Sequence, residues 1–161
     1  MKKITVSGEI TSYDSIDELD QAFKTLFLTA MEAVEKSYAP YSLFNVGAAV
    51  LLENGEILSG ANQENASYPA CICAEQSVLA TASSMFPNQS IVALAVTASK
   101  NGVFVEEVTP PCGICRQVMK EWQTRMKANL TVLFSGPGQS IYKIDSIDAI
   151  LPLGFDSTYL L

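Results

Sequence analysis

Apolar and polar positions change period several times along the chain. Ile4, Val6 and Ile10 alternate with polar residues, which predicts an edge strand or an arm within residues 1–14. Ser15-Ile16-Asp17-Glu18 has the form of a capping box, and Leu19, Phe23, Leu26, Ala30 and Val34 then recur at helical spacing. A helix is expected to about Lys36, with Ala39-Pro40 ending it. Residues 46–53 and 56–61 read as strands joined by Asn54-Gly55, a turn that tolerates positive φ at both positions. The polar stretch 62–70 is a loop, and 73–85 is a second helix with Ala74, Val78, Leu79 and Ala82 on one side. The unbroken apolar run 91–98 predicts a buried strand. Val118, Met119 and Trp122 mark a short third helix that begins near Cys112, and residues 130–134 and 141–144 complete the strands. This order predicts one domain over 1–161, an α/β/α sandwich around a single mixed sheet.

Charge narrows the partners. The net charge is −7, and the only arginines are Arg116 and Arg125. Neutralising phosphates takes clustered Lys and Arg, so nucleic-acid polymers and anionic membranes are poor partners. Small neutral or cationic ligands remain. No apolar run approaches the roughly 20 residues needed to span a bilayer. Lys2-Lys3 is not followed by an apolar signal core, so a soluble, cytoplasmic protein is expected.

The chain has no histidine, which excludes His-based triads, His general bases and HExxH zinc sites together. Any zinc must be held by Cys, Asp or Glu. Four cysteines are available, Cys71, Cys73, Cys112 and Cys115. Cys112-x-x-Cys115 has a chelating spacing, and Cys73 sits at another predicted helix start, where positive dipole charge favours a thiolate. Two such helix starts facing each other would give three thiolates to one zinc ion and leave a fourth position open for catalysis. A closed structural site that adds Cys71, and a redox dithiol at Cys112 and Cys115, are the alternatives. Glu75 can serve as a proton carrier beside the cluster or simply as an acid complementing a helix dipole. Asn62 and Glu64 can be ligand contacts or ordinary turn residues.

Four segments in order, YAPYSLFNVGAAV, GANQENASYP, CICAE and PPCGICRQV, resemble the small cytidine deaminases of pyrimidine salvage, and LPLGF at 151–155 is loosely similar. Cys-x-Glu followed by Pro-Cys-x-x-Cys is the three-cysteine form of the zinc deaminase pattern. The resemblance implies one zinc per subunit on Cys73, Cys112 and Cys115, with Glu75 as proton shuttle. It implies Asn62 and Glu64 on the ribose 3′-hydroxyl, Phe44 against the pyrimidine and a backbone contact from Ala74 to the base carbonyl. Ala66, Tyr68 and Phe155 would lie at a subunit boundary of a homotetramer built on five-stranded mixed sheets. The implied reaction is hydrolysis of cytidine and deoxycytidine to uridine and deoxyuridine. An aminohydrolase of a modified nucleoside or of a nucleoside antibiotic such as blasticidin S is the alternative, as is a zinc-binding relative with weak turnover. The last arises because relatives carry Arg after the catalytic Glu, donating to the zinc thiolates, where this chain has Gln76. Arg116, next to Cys115, is the nearest cation in sequence.

Overall fold

The computed structural model describes residues 1–138 and 140–160. Its elements in chain order are β1 (Thr11–Tyr13), α1 (Gln21–Ala33), β2 (Phe44–Leu52), β3 (Ile57–Ala61), α2 (Ala74–Met85), β4 (Ile91–Lys100), β5 (Val103–Phe104), α3 (Gly113–Met126), β6 (Thr131–Ser135) and β7 (Ile141–Ile144). Short 3-10 turns punctuate them. One sheet runs β1-β7-β6-β4-β2-β3, with β5 folded back on β4. The β4–β6 pair is parallel and the other pairings are antiparallel. Only that parallel pair needs a crossover, and α3 lies within it.

The α/β architecture is as expected, but the sheet has seven strands rather than five. Of the additional strands, β1 lies within residues 1–14, where an edge strand or arm is expected, but on Thr11–Tyr13 rather than on the alternating Ile4, Val6 and Ile10, which are in no strand. Strand β5 is two residues long, too short to leave a period. The first helix also starts later than its spacing implies. Ser15 caps only a 3-10 turn, Ile16–Glu18, while Asp20 is the cap of α1 and accepts from the Phe23 amide at 2.9 Å. Glu18 does reach back, to the Asp14 amide at 3.0 Å. The Asn54-Gly55 hairpin forms with Gly55 at φ 87°, and the Glu56 amide donates to the Asn54 side chain at 3.0 Å.

Strand alternation divides the core between the two sheet faces. Ala48, Val50, Leu94, Val96, Val132 and Phe134 pack towards α2 and α3. Ala49, Ala93, Ala95 and Leu133 pack towards Leu26, Phe27 and Ala30 of α1. Small residues under α1 let the helix approach closely. A Cβ on Gly47 would collide with the Ala30 carbonyl oxygen and come within 2.6 Å of the Val34 amide nitrogen. On the other face, a Cβ on Gly60 would come within 2.8 Å of the Val78 amide nitrogen and 3.2 Å of the Ala74 carbonyl oxygen. Gly60 thereby sets how near the start of α2 comes to the sheet.

Both obstacles at Gly47 are helix backbone, which cannot swing aside as a side chain can. Gly47→Ala is therefore expected to destabilise the fold by about 1–3 kcal/mol or more, read as a lower denaturant midpoint. An unchanged midpoint would contradict the close α1 packing.

Candidate active site

The loop between β3 and α2 is held on two sides. Gln63 and Ile72 exchange backbone hydrogen bonds at 2.9 and 3.0 Å, while the Glu64 amide donates to the Tyr38 carbonyl at 2.8 Å. The loop delivers Cys73 as the N-cap of α2, and Cys112 is the N-cap of α3. Two helix N-termini therefore converge. The Cys112 Sγ accepts from the Cys115 amide at 3.4 Å, so one otherwise unpaired amide at the start of α3 faces sulfur directly, while Cys73 makes no such cap bond on α2.

The three sulfurs form a compact triangle. Cys73 and Cys112 lie 3.9 Å apart, Cys112 and Cys115 lie 3.4 Å apart, and all three atoms fall within 4.8 Å of one another. Sulfurs at the usual zinc distance on a tetrahedron are roughly 3.8 Å apart, so this donor set fits zinc after sub-ångström side-chain adjustment. Cys115 is fully buried and Cys73 half-buried. The hydrogen bond from the Cys115 thiol holds Cys73 down to about 7, against burial and the neighbouring Glu75 charge. That same hydrogen bond, then burial, pushes Cys115 up. Cys71 is outside the triangle. Its thiol turns to Asn65, accepting from the amide at 3.2 Å, so the closed four-cysteine alternative is not formed.

A cavity of about 400 Å³ opens beside the sulfurs, and Phe44, Asn62, Glu64, Ala74 and Glu75 all line it. Glu75 is 4% exposed in the first turn of α2. Burial pushes its carboxyl above the ordinary carboxylate range, opposed by its own amide and by the Cys115 thiol. Asn62 is locked in place. Its Oδ1 accepts from the Ser37 hydroxyl and from the Val46 amide at 2.8 Å, and its Nδ2 donates to the Phe44 carbonyl at 2.9 Å. An amide nitrogen has two N–H groups, so one remains for a ligand. Glu64 Oε2 accepts from the Tyr41 and Ser42 amides at 2.8 and 3.3 Å. The Ser42 hydroxyl, then the Tyr41 amide, holds its carboxyl below the ordinary range. Ser37 was not legible as a site residue, since a serine following a helix-terminal turn gives no periodic signal.

Other predicted positions are not brought to the cavity of this chain. Ala66 is exposed, Tyr68 packs edge-on against Tyr41 with centroids 6.3 Å apart, and Phe155 stacks on Tyr159 at 5.3 Å. Tyr68 and Phe155 remain 71% and 56% exposed. Gln76 is half-buried and, among the described residues, makes no hydrogen bond to the sulfurs. Arg116 turns to backbone carbonyls, and Arg125 lies over the Trp122 ring at 4.0 Å. Neither arginine donates to a thiol. Among the described residues, no helix is long and apolar enough to cross a membrane.

Comparison with known proteins agrees with this geometry. Residues 20–129 match the family described as the cytidine and deoxycytidylate deaminase zinc-binding region. The chain is 46% identical to a cytidine deaminase of Halalkalibacterium halodurans over 96 residues, 60% of this chain and 68% of that one. It is 37% identical to a cytidine deaminase of Mycoplasma pneumoniae over 131 residues, 78% of this chain and 88% of the relative. The crystal structure of a cytidine deaminase from Burkholderia pseudomallei superposes with a TM-score of 0.69 at 36% identity, covering 81% of this chain and 97% of that one. With three thiols gathered at two helix starts beside a buried glutamate, and with these relatives, the chain belongs to the cytidine deaminase family.

Proposed function

We propose that the chain catalyses hydrolytic deamination of cytidine and deoxycytidine, with Cys73, Cys112 and Cys115 holding one zinc ion and Glu75 carrying the proton. The observation that carries this reading is the buried Glu75 carboxyl in the same cavity as the sulfur triangle and the Asn62–Glu64 pair. When bound, zinc supplies a Lewis acid that makes a water acidic enough to ionise near neutral pH.

The remaining roles follow from side-chain chemistry. Glu75 takes a proton from the attacking water and returns it to the base at N3. It then carries the proton of the added hydroxyl to the departing amino nitrogen, the carbonyl forming as the C–N bond breaks, so that cytidine and water become uridine and ammonia. A carboxyl whose affinity for protons is raised by burial suits both directions of that transfer. Asn62 has one donor left and Glu64 has an acceptor oxygen, Oε1, turned to no amide. A ribose hydroxyl can accept from the first and donate to the second. Phe44 offers a ring face to the pyrimidine, and Ala74 a backbone contact to its carbonyl. The −7 charge favours an uncharged nucleoside over a phosphorylated one. Ala66, Tyr68 and Phe155 are exposed here, which agrees with a role at the boundary of a homotetramer, closing a neighbour's cavity.

Gln76 favours a second reading, turnover restrained by charge. Three thiolates exceed the charge of a zinc dication by one, and among the described residues no side-chain cation donates to them. The two helix N-termini supply only partial positive charge.

Deamination is read as the ultraviolet change when cytosine becomes uracil. The zinc-loaded protein is expected to convert cytidine and deoxycytidine but leave blasticidin S unchanged, and light scattering is expected to give four times the mass of one chain. No conversion of either nucleoside at one zinc per chain would refute the proposal. Glu75→Gln should keep the zinc and lower kcat roughly 10²–10⁴-fold; an unimpaired variant would remove Glu75 from the mechanism. Gln76→Arg should raise kcat, by roughly tenfold if it acts as metal-supporting partners commonly do. A lower or equal rate with zinc retained would mean that the site balances its charge without a cation at position 76.

A further inference from the structure

Arg116 is the cation nearest the metal ligands in sequence, yet its side chain is engaged elsewhere. Its Nε donates to the Pro111 carbonyl at 2.8 Å, and its Nη1 donates to the Ile150 carbonyl at 3.0 Å. We infer that Arg116 is a positioning residue that fixes Cys112 through the Pro111 carbonyl, by the shape of its guanidinium rather than by its charge. The inference rests on the reading of the three cysteines as zinc ligands.

The reason lies in the two residues that precede Cys112. Pro110 and Pro111 have no N–H, so this stretch cannot be tied down by its own amides. Its carbonyls are the only backbone handles. The Pro111 carbonyl belongs to the peptide plane that carries the Cys112 nitrogen, so fixing that oxygen fixes the plane from which the Cys112 side chain departs. Pro111 is buried, which makes an unpaired carbonyl there costly as well.

The far end of the bridge is firm. Ile150 follows a 3-10 turn, Ile147–Ala149, whose Ile147 is fully buried. The Ile147 amide donates to the Gln123 side chain at 3.2 Å, and Lys120 pairs with Asp148 at 2.9 Å. Helix α3 therefore holds the C-terminal segment at several points, and Arg116 continues the connection to the residue before a metal ligand. A guanidinium presents several donors in one rigid plane and can meet two carbonyls in fixed directions. An ammonium is a compact charge on a flexible stem.

The test is zinc affinity by competition with a chelator, measured on folded protein. Arg116→Ala and Arg116→Lys should both weaken zinc roughly 10–100-fold, the range found for groups that orient metal ligands. Lys120→Met loosens the same helix–segment contact without touching Pro111 and should leave zinc affinity unchanged. Wild-type affinity in Arg116→Lys, whether or not Arg116→Ala loses zinc, overturns the inference, as does equal loss in Lys120→Met. Failure of the wild-type chain to take up zinc would overturn the cysteine reading itself, a result distinguishable from these. If neither Arg116 variant folds, proton exchange at Arg116 Nε in the wild-type chain decides. A slowly exchanging proton is expected, and one that exchanges as freely as in a solvent-exposed arginine overturns the inference.

Discussion

Two helices must begin at one point in space for thiols 39 residues apart in sequence to share a cation. The rest of the arrangement serves that convergence. The two amino-terminal ends meet over the same face of the sheet, against Val96 and its neighbours. Gly60 brings α2 down onto β3, because any side chain there would push on the helix backbone near Ala74 and Val78. The Gln63–Ile72 pairing holds the loop that leads into Cys73, while a proline pair leads into Cys112. Gathering negative groups at helix starts has an electrostatic logic, since unpaired amides point at the place where thiolate charge collects.

The same convergence creates the site's main liability. Three sulfurs and a buried carboxyl lie together, and among the described residues no side-chain cation is bonded to the sulfurs. Without a metal, the groups respond unequally, and the Cys115 thiol bond holds Cys73 down to about 7. Cys115 and Glu75 are both pushed up, the first mainly by the Cys73 hydrogen bond and the second mainly by burial. A dication relieves that crowding, which is why the donor set reads as a metal site rather than as a store of reactive thiols. Of the two arginines, one is taken by carbonyls and the other by an indole ring, so neither stands in for the cation missing at Gln76.

Much of this was legible in the sequence, for identifiable reasons. Long periodic elements announce themselves, as α2, β2, β4 and the Asn54-Gly55 hairpin did. The lack of histidine and the spacing of the cysteines limited the metal chemistry before any fold was known. An edge strand or arm was expected within residues 1–14, but the alternating Ile4, Val6 and Ile10 did not mark the three residues that pair, and the two residues of β5 hold no period. The start of α1 was misplaced because the Ser15…Glu18 capping pattern closes only a 3-10 turn, while Asp20, five residues on, caps the helix itself. Ser37 and the carbonyl bonds of Arg116 were out of reach for a different reason. Both depend on backbone groups brought close by the fold, and a backbone group carries no letter in the sequence.

The central claim is an open three-sulfur metal centre, and zinc K-edge X-ray absorption on the metal-loaded protein addresses it most directly. The account predicts three sulfur neighbours at about 2.3 Å and one lighter neighbour at about 2.0 Å. Four sulfurs would mean that Cys71 leaves Asn65 and closes the site, which would contradict a catalytic centre.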